Sequence, residues 1–186
     1  MLERVAERLT LDRMRTPLGQ ALLITDEDHR LRALDWEDHA ARMQRQLRLH
    51  YGSNISLNPG RAPRGTRAAL EAYFAGGLEQ LDGIECLTGG TSFQRAVWTA
   101  LRAIPPGRTM SYGALAAAIG GPRAVRAVAR ANRANPISIV VPCHRLIGAD
   151  GSLTGYGGGL ERKRWLLSHE GAPFTDRVDT IASRRF

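Results

Sequence analysis

The sequence predicts an α/β amino-terminal domain followed by a mainly α-helical carboxy-terminal domain containing a helix-turn-helix. Three observations carry that prediction. Strand-like and helix-like segments follow one another in the first half, two short helices joined by a glycine turn stand in the second, and charge divides unevenly between the halves. Of 186 residues, the first 85 carry 12 basic and 13 acidic side chains and the rest carry 14 and 5, so the formal charge of +8 belongs wholly to the second half. The glycine-rich stretch from Gly76-Gly77 to Gly89-Gly90 marks the boundary, giving domains at 1–88 and 89–172 with a tail at 173–186.

In the first half, Gln20 to Thr25 and Arg30 to Trp36 are apolar-rich and joined by the acidic turn Asp26-Glu27-Asp28, which predicts a hairpin. His39 to His50 and Thr66 to Ala75 have helical spacing, as in Leu70, Tyr73 and Phe74. Between them Gly52 to Gly65 is rich in Gly, Asn, Ser and Pro and reads as a loop.

In the second half, Thr91 or Ser92 caps a helix whose Phe93, Val97, Trp98 and Leu101 share one face until Pro105-Pro106-Gly107 stops it. Ser111 caps a short helix from Tyr112 to Ile119. Gly120-Gly121 turns the chain, Pro122 suits a first helical turn, and a helix follows from Arg123 to about Asn132. Arg123, Arg126, Arg130 and Arg133 fall within an arc of about 80°, with Val125 and Val128 opposite. Two short helices, the second basic on one face and apolar on the other, describe a helix-turn-helix.

The composition, 43% hydrophobic and 24% charged, is that of an ordinary globular protein. No stretch approaches the ~18 apolar residues of a membrane span. The start, Met1-Leu2-Glu3-Arg4, has no signal-peptide core, so a cytoplasmic, reducing location with no membrane partner is expected. Cys86 and Cys143 are too few for a disulfide scaffold or a thiolate-only zinc site. His29, His39 and His50 are dispersed without a cysteine cluster, and no metal or cofactor is expected.

No acid occurs from Cys86 to Ala149, a span holding eight arginines, and such polarisation points to a polyanion. Codon drift explains why 25 of the 26 basic residues are Arg and one is Lys163, but not the loss of acids over 64 consecutive residues. Like charges stacked at i, i+3 and i, i+4 cost a few tenths of a kcal/mol per pair, a penalty that phosphates would remove.

The β-branched run Ile137-Ser138-Ile139-Val140-Val141 reads as a buried strand or extended segment ending at Pro142, followed by Cys143, His144 and Arg145. A cysteine there is by itself more often inert. Its neighbours favour reactivity: Pro142 fixes the backbone, His144 follows directly, Arg145 adds positive charge, and the closest carboxylate in sequence, Asp150, is seven residues away. Consecutive residues of an extended segment face opposite ways, so Cys143 and His144 need a turn or a bridging water to interact. Arg164 to Glu170 reads as a helix ended by Gly171, able to bring Glu170 to the imidazole. Gly151 to Gly159, with Tyr156, reads as a wing or turn. Cys86 has no such setting and reads as structural.

Asn135 to Gly148, NPISIVVPCHRLIG, with SYGALA at Ser111, TGYGGG at Thr154 and WLLSHEG at Trp165, resembles the O6-alkylguanine-DNA alkyltransferases, whose active-site motif is P-C-H-R. Thr16 to Gly19 and Leu70 to Leu78 extend the resemblance upstream, so that it covers about residues 14 to 171. The resemblance implies a ribonuclease-H-like first domain and a winged-helix second domain that holds the active site. It implies irreversible transfer of the alkyl group from guanine O6 in duplex DNA to the protein's own cysteine, once per molecule, by a monomer.

By the same match Cys143 is the acceptor, His144 takes its proton through a water, Glu170 holds His144 and Asn135 braces the turn. Tyr112 donates a hydrogen bond to the extruded guanine. Arg126 enters the stack that the nucleotide has left, with Arg123, Arg130, Arg133 and Ser111 also on the DNA side. Tyr156, Gly157, Gly158 and Leu146 line the pocket. In this family the recognition helix enters the minor groove, which spacing alone does not suggest. Arg130 and Arg133 replace small residues of some relatives, Ser138 a proline and Gly157 a hydroxyl-bearing residue.

A thiol of pKa ~8.5 is only a few per cent thiolate at neutral pH. Lowering it to about 6 raises that fraction roughly thirtyfold but costs about ten- to eighteenfold in nucleophilicity. Positioning and stabilisation of the leaving guanine must therefore supply most of the acceleration. Two other readings are a lesion sensor or operator-binding regulator without chemistry, and a cysteine hydrolase. The cysteine speaks against the sensor, and the acid-free basic helix against the hydrolase.

Overall fold

A computed structural model describes residues 7–52 and 55–178. They fall into two compact units, Gly90 ending the first and Thr91 beginning the second, except that Pro136–Ser138 belongs with the first. Those three residues lie inside the span expected to be wholly carboxy-terminal.

The first unit is α/β. Strands β1 (Glu7–Thr16), β2 (Gly19–Thr25) and β3 (Leu31–Trp36) form an antiparallel meander, and β4 (Ile55–Pro59) pairs parallel to β1, giving the order β3-β2-β1-β4. The hairpin turn is closed by Asp26, whose Oδ1 accepts from the Arg30 amide at 2.9 Å, and His29 takes the left-handed conformation there. β4 lies within the segment expected to be a loop. Its Ile55-Ser56-Leu57 alternation is short and ends in Pro59, a residue that only an edge strand tolerates. Successive residues of β2 and β3 are buried, so these strands are covered on both faces. Helix α1 (Ala40–Tyr51) sends Met43 and Leu47 into a cluster with Leu9, Leu22, Ile24 and Ala33. Helix α2 (Arg64–Phe74) buries Leu70 and Tyr73. Cys86 bridges to Leu31, and Ile137 bridges to Leu34.

The second unit is mainly helical. α3 (Ser92–Arg102) starts with a reciprocal capping box between Thr91 and Gln94. It buries Val97, Trp98 and Leu101, while Phe93, expected on the same face, lies in the first turn and is 39% exposed. Ser111 caps α4 (Tyr112–Ala118), its hydroxyl accepting from the Ala114 amide at 3.1 Å. α5 spans Val125–Arg133, so Arg123 lies in the preceding turn and not on the helix. Val128 is buried, but Val125 is 37% exposed, and the apolar face is narrower than its spacing suggested.

Short strands β5 (Met110–Ser111) and β6 (Leu146–Ile147) pair in parallel. So do β7 (Ser152–Leu153) and β8 (Thr175–Val178), which places the start of the expected tail in regular structure. Arg184-Arg185-Phe186 lies outside the described residues. α6 (Leu160–His169) ends in a Schellman motif: Glu170 is the cap, Gly171 has φ of 65°, and the amides of Gly171 and Ala172 bond to Ser168 and Leu167. Among the described residues no helix is long and apolar enough to cross a membrane.

Candidate functional site

The β-branched run before Cys143 forms neither a strand nor a continuous extended segment, although it is buried as expected. It makes one bridge at Ile137 and then turns, with Ile139 at φ of 69°. A β-branched residue in that region is strained by roughly 1–3 kcal/mol and persists only where its surroundings fix it. Ile139, Val140 and Val141 are all buried, so packing holds the turn against its local preference. At Pro142, φ of −80° and ψ of 64° make an inverse γ-turn, closed by the Cys143 amide on the Val141 carbonyl at 2.8 Å. That carbonyl also accepts from Asn135 Nδ2 at 2.8 Å, so Asn135 braces the turn. Cys143, His144 and Arg145 then form a single 3-10 turn, all buried. The turn supplies what an extended segment lacked.

His144 Nε2 lies 2.9 Å from Glu170 Oε1. Arg145 closes on the same carboxylate with Nε on Oε2 and Nη2 on Oε1, both at 2.9 Å, and its Nη1 donates to the Ile104 carbonyl. Burial by itself would raise the Glu170 pKa, but hydrogen bonds and charge from His144 and Arg145 outweigh it and hold the carboxyl well below its usual range. Burial dominates at His144 and pushes it below its ordinary value despite the carboxylate. The pair is therefore an ionised Glu170 with a neutral imidazole: burial keeps the ring uncharged, and Arg145 supplies the countercharge to the carboxylate. A neutral ring that donates Nε2–H to Glu170 presents Nδ1 as a base, and Nδ1 is buried with no partner among the described residues. Arg145, expected to lend charge to the thiol, is instead committed to Glu170.

Lys163, which sequence reasoning did not place at the site, is fully buried on α6. Its ammonium donates to the carbonyls of Leu146 at 2.5 Å and Thr154 at 3.1 Å, with Thr154 Oγ1 at 3.5 Å. Burial holds its pKa at about 8, and Cys143 acts on it electrostatically in the opposite direction. A signal was present in the sequence. Leu160, Lys163, Leu167 and Glu170 lie within an arc of about 80° on one helix, so Lys163 shares the inward face.

Tyr112, first residue of α4, is half-buried. Its hydroxyl oxygen accepts from Thr154 Oγ1 at 3.1 Å and from Asn132 Nδ2 at 3.5 Å. Burial raises its pKa, the Thr154 bond opposes that, and Cys143 adds a further rise. Asn132 is buried, with Oδ1 unpartnered among the described residues. The Tyr156 ring stands edge-on to His144 at 6.4 Å, which brings the glycine loop to the imidazole. Gly158 is buried and its carbonyl accepts from Arg162, Gly157 is half-buried, and Leu146 is fully buried.

Arg126, Arg130 and Arg133 are exposed on α5, and Arg123 is exposed before it. No ion pair to any of the four is found among the described residues. Nor do the described residues contain a group of three or more His, Cys, Asp or Glu able to hold a metal ion. A buried thiol on one turn with a neutral imidazole, a carboxylate that fixes that imidazole, and a tyrosine hydroxyl on which Cys143 acts electrostatically can support nucleophilic attack by sulfur.

Residues 92–172 match the family described as "6-O-methylguanine DNA methyltransferase, DNA binding domain". A relative from Salmonella typhimurium, named methylated-DNA--protein-cysteine methyltransferase, is 53% identical over 169 residues, covering 88% of this chain and 96% of its own. The structure of Mycobacterium tuberculosis OGT in complex with DNA is similar with a TM-score of 0.73 and 40% identity, covering 89% of this chain and 95% of that one. The O6-methylguanine-DNA methyltransferase of Pyrococcus kodakaraensis gives a TM-score of 0.65 at 26% identity, with 88% and 99% covered.

Proposed function

The chain belongs to the methylated-DNA--protein-cysteine methyltransferases, and from that premise we propose that Cys143 is the acceptor through which it reverses alkylation damage in DNA. Proteins of this kind repair DNA by moving an alkyl group onto a cysteine of their own, a single-turnover reaction. One observation carries the residue assignment. Cys143 and His144 sit on one buried turn, and His144, kept neutral by burial, is oriented by a carboxylate whose charge Arg145 balances. His144 takes the thiol proton through Nδ1 by way of a water, while Glu170 and Asn135 fix the imidazole and the turn.

Sulfur then attacks the alkyl carbon in line, the carbon–oxygen bond breaks, and its electron pair stays on the guanine, which Tyr112 stabilises by donating a hydrogen bond. Tyr156, Gly157, Gly158 and Leu146 surround the extruded base. Extrusion costs a few kcal/mol, which Arg126 offsets in part by filling the gap. Arg123, Arg130, Arg133 and Ser111 hold the backbone around it, with α5 in the minor groove. The order β3-β2-β1-β4 with β4 parallel to β1 supports a ribonuclease-H-like first unit, and α4 and α5 joined by a tight turn support a winged helix-turn-helix in the second.

The test is the intact mass after incubation with duplex DNA containing O6-methylguanine. Stoichiometric, irreversible gain of one methyl group on the Cys143 peptide is expected. Binding without mass change would identify a sensor, and product release without modification would identify a hydrolase.

A further inference from the structure

Between Lys163 and Tyr112 runs a hydrogen-bond chain whose direction is set by valence. Lys163 has donors only, and it points at Thr154 Oγ1 as well as at the Thr154 and Leu146 carbonyls. With an oxygen lone pair facing an ammonium, the single hydrogen of Thr154 is directed away from Lys163, and it falls on Tyr112 Oη at 3.1 Å. Asn132 Nδ2, also a donor, approaches the same oxygen at 3.5 Å. A phenol oxygen has two lone pairs and one hydrogen. Both lone pairs are thus addressed by protein donors, and the one hydrogen of Tyr112 is left to point elsewhere. The two 3.5 Å contacts are long and give direction more than strength, so the weight rests on the 3.1 Å bond.

We propose that Thr154 is a positioning residue that fixes Tyr112 as a hydrogen-bond donor to the reacting base, with Lys163 setting the polarity of the chain. Without the Thr154 hydroxyl only the long Asn132 contact addresses Tyr112 Oη, and the direction of the tyrosine hydrogen is no longer fixed before substrate arrives. With Thr154, donors succeed one another from ammonium to threonine to tyrosine, and each bond polarises the next. The hydroxyl then meets the charge that develops on the guanine already oriented, which is where preorganised donors act most strongly. No proton need leave Tyr112 for this to hold. The inference rests on the assignment of Tyr112 as the donor to the extruded guanine.

Single-turnover methyl transfer from an O6-methylguanine duplex, measured beside DNA affinity, tests it with four variants. Thr154→Val keeps the shape and removes the hydroxyl; the loss of one neutral hydrogen bond predicts a rate about three- to tenfold lower with affinity changed less than about twofold. Thr154→Ser retains the donor and restores the rate. Adding Thr154→Val to Tyr112→Phe causes no further loss, because threonine acts only through the tyrosine hydroxyl. A wild-type rate in Thr154→Val, with Tyr112→Phe slow, overturns this inference alone. So does a further loss in the double variant, which would mark a structural role. A wild-type rate in Tyr112→Phe overturns the tyrosine assignment and this inference together.

Discussion

The arginines of α5 and the arginine beside Cys143 are one residue type in opposite settings. Arg126, Arg130 and Arg133 project from an exposed helix face with no ion pair among the described residues. Arg145 is buried, with Nε and Nη2 on Glu170 and Nη1 on a backbone carbonyl. The exposed group acts through summed charge, which salt screens over about 8 Å at physiological ionic strength and which tolerates imprecise geometry. The buried group acts through fixed geometry, where removal of one partner strands the other. On the function proposed above, the difference separates holding DNA from performing chemistry on it.

The comparison breaks most visibly at Glu170. Glu170→Gln leaves Arg145 buried without its anion, for which a loss of about 3–5 kcal/mol is expected in chemical denaturation. The same substitution should slow methyl transfer by at least about a hundredfold, because an amide in place of the carboxylate can present its NH2 to Nε2 and stabilise the wrong tautomer of His144. Stability measured against pH sharpens the point. The Glu170 carboxyl is held below its unfolded value of 4.5, so its contribution is fully present above about pH 4.5 and is lost as pH falls towards the folded value. Wild type should therefore weaken on acidification below pH 4.5, and Glu170→Gln should lack that part of the slope.

Tyr112→Phe removes a hydroxyl from the buried side of the comparison without touching an ion pair. With Tyr112 as the proposed donor to the leaving guanine, single-turnover transfer should fall at least about tenfold while DNA affinity changes less than twofold. Unchanged single-turnover rates would remove Tyr112 from the chemistry. On the exposed side the effects are smaller. Arg130→Ala or Arg133→Ala should weaken duplex binding a few fold and reduce the slope of log affinity against log salt by about 1, with transfer unchanged at saturating DNA. A salt-independent affinity in wild type would overturn the electrostatic account of α5.

Much of the second unit was legible because its signals are local. Thr91 and Gln94 are three residues apart and cap α3 as a pair, Ser111 caps α4, and Gly171 ends α6 with the positive φ that favours glycine. The P-C-H-R run drew attention to Cys143, and Glu170 stood at the end of a readable helix. Where expectation failed, a competing force won. Ile137 to Val141 has β propensity, yet Ile139 is held in a left-handed turn by its buried surroundings. The segment with β4 has loop composition, yet Ile55 and Leu57 pair with β1, about fifty residues earlier in the chain. Arg123 has the spacing of the basic face but lies before the helix begins.

Most helices, the caps at Thr91 and Ser111 and the acid-free stretch can be read along the chain, because none of them needs a partner distant in sequence. Tertiary structure alone decided what the buried charges do. Arg145 and Glu170 are 25 residues apart, Thr154 and Tyr112 are 42 apart, and Lys163 reaches Leu146 across 17. A charged side chain read along the chain defaults to solvent. Only when folding removes water must it find partners, and those partners fix whether it supplies long-range attraction or the geometry of a reaction.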